Sequence, residues 1–177
     1  PVVEAALAAG IAVRGAMSCT VGCPYEGDIA PQQVAYLAGL MKGIGVQRVD
    51  VADTIGVGTP RKVQRAIEAT LQHFGIDAIS GHFHDTYGQA LSNTLAALEL
   101  GVWNYQASVA GLGGCPYAKG ATGNVATEDV VFMLHGMGIE TGIDLDKLVD
   151  AGAYISDYLG RKPNSRVAVA VLNKRAG

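Results

Sequence analysis

The stretch AISGHFHDTYGQALSNTLAALELG, residues 78–101, decides how this chain is read. Residues 78–84 form an apolar run of strand length. A helical pattern follows, carrying Leu91, Leu95 and Leu98, and Gly101 stands just past its end, where helices commonly close. A strand feeding directly into a helix is one βα unit. Strand side chains alternate between faces, so His82 and His84 point the same way. Two imidazoles on one face at a strand end can grip one divalent cation, or be ordinary hydrogen-bonded histidines. Asp85 reads as an N-cap for the helix that follows.

The pattern repeats outward from this unit. Residues 1–9 read as the end of a helix closed by Gly10, and residues 11–19 as a buried strand. After the loop 20–30, Pro31 suits a first helical position, and Val34, Leu37, Met41 and Ile44 follow at helical spacing. Residues 47–53 are the next strand. Thr59-Pro60 then reads as a cap and first turn, ahead of the stripe Val63, Ala66, Ile67, Thr70, Leu71 and Phe74. A fourth strand is expected at 102–110, then a glycine-rich loop at 111–124. Helices are expected at about 127–137, capped by Thr127, and at 144–159. The weak apolar run 167–172 has no assigned element.

Strands alternating with helices make an α/β fold with parallel pairing and right-handed crossovers. A doubly wound sheet and part of a (β/α)₈ barrel both fit. A complete barrel takes about 250 residues, so four units in 177 residues correspond to half of one. In either architecture the chemistry lies at the C-terminal ends of the strands.

Composition narrows the function classes. Hydrophobic residues are 49% and charged residues 16%, as in a globular protein with a core. Net charge is −3, and basic residues adjoin only at Arg61-Lys62, Arg161-Lys162 and Lys174-Arg175. This argues against a nucleic-acid surface. No apolar stretch reaches the roughly 18 residues of a membrane span. Three cysteines, an odd number, fit a reducing compartment better than a disulfide framework. No signal peptide is visible. Bacterial cytoplasm is the expected location, with the mitochondrial matrix left open. Pro1 runs straight into a helical pattern, so residues 1–177 are read as one partial domain, a piece of a longer polypeptide.

Each strand end offers reactive groups. His82, His84, the amide oxygen of Asn124 and a carboxylate would form a mixed nitrogen and oxygen shell suited to Mg²⁺, Mn²⁺ or Co²⁺. Asp53 is a metal ligand or base on one reading and a turn aspartate on the other. Cys115, in the glycine-rich loop, is either a proton donor on a lid or an incidental thiol. Cys19 and Cys23 lack the partner pair a structural zinc site needs. His73 and His135 fall late in helices, where a polar cap explains them. Arg14, set among apolar residues in a strand, faces either an anionic substrate or a carboxylate partner.

Four segments in order, VRGAMSCTVGCPYEG (13–27), DTIGVGTP (53–60), HFHDTYGQALSNTLAALELG (82–101) and SVAGLGGCPYAKGATGNVATEDVV (108–131), closely resemble the hydroxymethylglutaryl-CoA lyase family. The resemblance covers residues 14–151, and GGCPYAKGATGN is its sharpest part. It implies a TIM barrel, with this chain as about its second half, strands five to eight and the helices that follow. It implies a homodimer as the full-length enzyme, an acyl-CoA substrate, Mg²⁺ or Mn²⁺, and cleavage of 3-hydroxy-3-methylglutaryl-CoA to acetyl-CoA and acetoacetate. By motif position, His82, His84 and Asn124 become metal ligands, and His82 also takes part in proton transfer near the substrate hydroxyl. Cys115 becomes the lid thiol that protonates the enolate, Asp53 an active-site acid and Glu128 a supporting one.

The family also carries an Arg-Asp pair on its first barrel strand, and this chain shows none. The chain alone is therefore expected to bind metal weakly and to lack useful turnover. Related Claisen-type synthases and aldolases, isopropylmalate synthase among them, share the His-x-His strand and stand as one alternative. A non-catalytic binding module is the other.

Overall fold

The computed structural model describes residues 1–114 and 123–177. The described residues fall into two compact units, 1–106 and 107–114 with 123–177.

The first unit runs α1 (Val2–Ala8), β1 (Arg14–Met17), α2 (Pro31–Gly43), β2 (Arg48–Asp53), α3 (Pro60–Thr70), β3 (Ile79–Phe83), α4 (Ala90–Glu99) and β4 (Asn104–Gln106). All neighbouring strands pair parallel, in the order β1-β2-β3-β4. That order distinguishes the two candidate architectures. A doubly wound sheet reverses strand order at a switch point, whereas a barrel adds each strand beside the last. The fold is thus α/β with the strand progression of a (β/α)₈ barrel over four of its units.

Burial explains the sheet. Every residue of β2 after Arg48 is buried, as expected of a parallel strand covered on both faces. Val49, Val51, Ile79 and Phe83 supply apolar bulk there. Each such side chain contributes about 1.5–3 kcal/mol by leaving water. On α3 the expected stripe holds: Val63, Ala66, Ile67 and Thr70 are buried, although Leu71 is partly exposed. Thr59 occupies the cap position without a side-chain cap bond. On α4 the buried face is Ala90, Asn93, Thr94, Ala96 and Ala97, while Leu91, Leu95 and Leu98 are half-buried. Small side chains let that helix lie close to its neighbours.

Two strands are shorter than their apolar runs. β1 begins only at Arg14, because a turn at Gly10 precedes it and Ile11 donates its amide back to the Ala6 carbonyl. It stops before Cys19, whose φ of 59° is left-handed. β4 ends at Gln106, because Ser108 pairs with Ala126 instead and Ala110 takes a φ of 56°.

The second unit holds a 3-10 turn (Val109–Gly111) and helices α5 (Thr127–Gly136), α6 (Leu145–Tyr158) and α7 (Arg166–Ala176). Ala126, not Thr127, is the N-cap of α5. Asp144 caps α6 by accepting from the Lys147 amide at 3.1 Å. The unassigned tail is a helix, α7, capped by Ser165, which accepts from the Ala168 amide at 2.9 Å.

Candidate metal and acid–base site

In the first unit, β3 delivers His82 and His84 to the C-terminal end of the sheet. Their rings lie 5.4 Å apart, centre to centre, tilted by 47°. His82 Nδ1 lies 2.7 Å from Gln106 Oε1. His84 is only 5% exposed, and its Nδ1 is buried without a hydrogen-bond partner. Burial first, and then the neighbouring His82 charge, push the His84 pKa down from 6.5. A neutral imidazole with an unused lone pair is the form that ligates a metal.

Asp53, fully buried, stands beside this pair at the end of β2. Its main-chain carbonyl accepts from the His84 amide at 3.2 Å. Its carboxylate accepts from Val57 N at 3.1 Å and Gly58 N at 2.8 Å. Of the two roles set out for Asp53, the geometry displays the turn aspartate that organises the 54–58 loop. Burial raises its pKa above 3.8, opposed by the Gly58, Val57 and Gly56 amides. A Cβ added at Gly58 would stand 2.7 Å from Asp53 Oδ2, so glycine is what lets the loop wrap the carboxylate.

Arg14 lies toward the other end of the strands. Its Nε is 2.8 Å from Asp50 Oδ1, and its Nη2 donates to Ser80 Oγ at 2.7 Å. Ser80 Oγ in turn donates to Asp50. The ion-pair reading of Arg14 is the one displayed, with partners from β2 and β3 that its own strand could not reveal. Asp85 accepts from the Ala90 amide at 2.9 Å, so it holds the start of α4 as expected, although Gln89 is the residue in the cap position. Cys23 is held by a backbone bridge to Gly27, and His135 bonds Thr141 Oγ1 at 2.9 Å.

In the second unit, Asn124 donates its amide Nδ2 to the Leu112 carbonyl at 3.1 Å. Its Oδ1 is buried and unpartnered. Glu128 is fully buried, and both carboxylate oxygens accept from the Ala110 amide, at 2.9 and 3.0 Å. This anchors the left-handed Ala110. Burial is the largest influence on Glu128 and raises its pKa above 4.5, against its own and the Ala110 amides and with the neighbouring Asp129 charge. Gly152 packs directly against Glu128 Oε1. Cys115 lies outside the described residues.

Within the first unit, two imidazoles at one strand end are donors of the kind that suit a borderline divalent cation. Each unit holds one candidate atom that is buried without a protein partner, His84 Nδ1 in the first and Asn124 Oδ1 in the second, and such burial is costly unless something binds the atom. Among the described residues, no three His, Cys, Asp or Glu side chains form a metal-holding group. Sequence reasoning missed Gln106. The signal for it is the register of β4 on β3, which places Gln106 opposite His82 and cannot be read from either strand alone.

Parallel strands added in chain order with helices between them, and two imidazoles at one strand end, define the first unit as part of a (β/α) barrel. The HMGL-like family model matches residues 2–155, and the chain belongs to that family. It is 54% identical over 169 residues to the mitochondrial hydroxymethylglutaryl-CoA lyase of Bos taurus, covering 96% of this chain and 52% of that protein. The crystal structure of hydroxymethylglutaryl-CoA lyase from Pseudomonas aeruginosa superposes with a TM-score of 0.93 at 52% identity, over 98% of this chain and 58% of that one. An HMG-CoA lyase from Acinetobacter baumannii, solved with coenzyme A and 3-methylmalate, superposes at 0.90 and 37% identity, over 96% and 55% of the two chains. The chain thus spans about half the length of the relatives it matches.

Proposed function

We propose that this chain forms the metal-binding half of a carbon–carbon lyase that splits 3-hydroxy-3-methylglutaryl-CoA into acetyl-CoA and acetoacetate, as in leucine breakdown. The observation that carries this is the 54% identity to a lyase of that name across 96% of the chain, with His82 and His84 at the strand end. His82, His84 and Asn124 would hold the cation, Mg²⁺ or Mn²⁺. When bound, a divalent ion acts as a Lewis acid on the substrate oxygens and makes loss of a tertiary hydroxyl proton feasible near neutrality.

The chain's own residues do the rest. His82 Nε2 is the atom proposed to meet the substrate hydroxyl or the cation. Asp53 is proposed as an active-site acid and Glu128 as a supporting one; their carboxylates also hold the 54–58 loop and the Ala110 amide. Cys115 is proposed to protonate the enolate carbon before side reactions intervene. The coenzyme A in the Acinetobacter structure supports an acyl-CoA substrate. A homodimer is proposed for the complete enzyme. None of the described helices is long and apolar enough to cross a membrane, and the relatives include mitochondrial and bacterial proteins. Bacterial cytoplasm is proposed.

The test joins this chain to the part of the Pseudomonas lyase that it does not span. With 3-hydroxy-3-methylglutaryl-CoA and Mg²⁺, the chimera should release acetoacetate and the 177-residue chain alone should not. Thiol release from acetyl-CoA and a 2-oxo acid would instead mark a Claisen-type synthase. A folded chimera inactive in both assays would support a non-catalytic module. Replacing Cys115 by Ala in the chimera should cut turnover strongly with metal content unchanged.

A further inference from the structure

We infer that Gln106 is the positioning residue that sets the tautomer of His82 and so frees its Nε2. The inference rests on the reading of His82 as a ligand or base, and serves either role, since both need a lone pair on that nitrogen.

β3 and β4 are parallel, and their register sets Gln106 directly opposite His82. Directly opposed residues in a sheet project to the same side, so the two side chains meet, with Nδ1 and Oε1 2.7 Å apart. A carbonyl oxygen can only accept, so Nδ1 must donate. A neutral imidazole has one N–H and one lone pair. With the proton held on Nδ1, the lone pair resides on Nε2. The same bond restrains rotation of the ring. A partner on the far nitrogen is how metal-ligating histidines are commonly oriented.

The neighbouring imidazole lacks this device, since His84 Nδ1 is buried and unpartnered. Of the two rings, only His82 has its tautomer dictated by a described side chain. The choice of an amide over a carboxylate also has a consequence. It orients the ring without adding negative charge where an oxyanion must be stabilised.

The test starts with the 177-residue chain labelled with ¹⁵N-histidine and free of metal. Long-range ¹H–¹⁵N correlation spectra should show His82 as the Nδ1–H tautomer. Gln106→Leu should shift it toward Nε2–H, while Gln106→Glu, which keeps an acceptor at that point, should restore Nδ1–H. Titration with Mn²⁺, followed by the electron paramagnetic resonance signal of the free ion, should show affinity falling about 10- to 100-fold in Gln106→Leu and recovering in Gln106→Glu. An Nε2–H tautomer in the unmodified chain overturns the inference, and that spectrum decides even if Gln106→Leu does not fold. Equal Mn²⁺ affinity in Gln106→Leu and the unmodified chain overturns it too. His82→Ala separates the two ideas: unchanged Mn²⁺ binding there removes the metal reading, while the tautomer spectra still decide the role of Gln106.

Discussion

Glu128 shows how one buried carboxylate links local backbone to pH. Both its oxygens hold the Ala110 amide, and no water reaches it. Its pKa in the folded chain lies above 4.5, chiefly through burial. A group raised in this way contributes stability in full below its unfolded pKa and loses it as pH rises through the folded one. Glu128→Gln keeps an acceptor for Ala110 and removes the titration. The midpoint of thermal unfolding of Glu128→Gln, relative to the parent, should therefore rise steadily as pH climbs from 4.5 toward neutrality. A constant difference across that range would show that Glu128 is not buried as a charge-sensitive group. The family resemblance made Glu128 a candidate in the sequence, since residue type alone marks it only as a favourable first-turn acid. That its carboxylate faces a backbone amide was not visible, because the partner is 18 positions away and takes a left-handed turn.

At the scale of elements, two carboxylates tie separate pieces together. Asp50 on β2 receives Arg14 from β1 and Ser80 from β3, so one charge cluster bridges three strands. Asp50 is 7% exposed but the Arg14 side chain is 39% exposed. Removing one member of a fully buried pair costs about 3–5 kcal/mol, and solvent screening at Arg14 reduces that. Arg14→Met should lower stability by about 1–3 kcal/mol in urea unfolding. In the second unit, Asp129 on α5 accepts from Ser165 Oγ at 2.6 Å and Val167 N at 2.9 Å, and so holds the start of α7. Asp129→Ala should cost about 1–2 kcal/mol, as lost helix caps do. Amide hydrogen exchange should then quicken across Arg166–Ala176 more than across Leu145–Tyr158. Uniform quickening in both helices would place Asp129 in general core stability instead.

For the whole chain, the strand order leaves β1 and β4 each paired on one side only within the described sheet. An unpaired strand edge is a template for further pairing. The 177-residue chain alone should elute in size-exclusion chromatography as an associated species, and joining it to the complementary part of a relative should reduce that association. A monomeric, cooperatively melting chain would count against this. Family membership through residues 2–155 and the TM-score of 0.93 describe the same arrangement from outside.

The βα alternation, the helix starts at Pro31 and Pro60, and the shared face of His82 and His84 were legible in the sequence. They rest on local rules: the two-residue strand period, the 3.6-residue helix period and the fixed φ of proline. So was the polar character of the strand ends. Four things were decided only in three dimensions. β1 and β4 are shorter than their apolar runs, because Cys19 and Ala110 turn left-handed. The 166–176 segment is a helix, held at its start by the distant Asp129. Arg14 faces Asp50, and His82 faces Gln106, because strand register sets their neighbours. Sequence periodicity tells which side a residue faces, but a cross-strand partner depends on how one strand slides along the next, and only the packed sheet settles that.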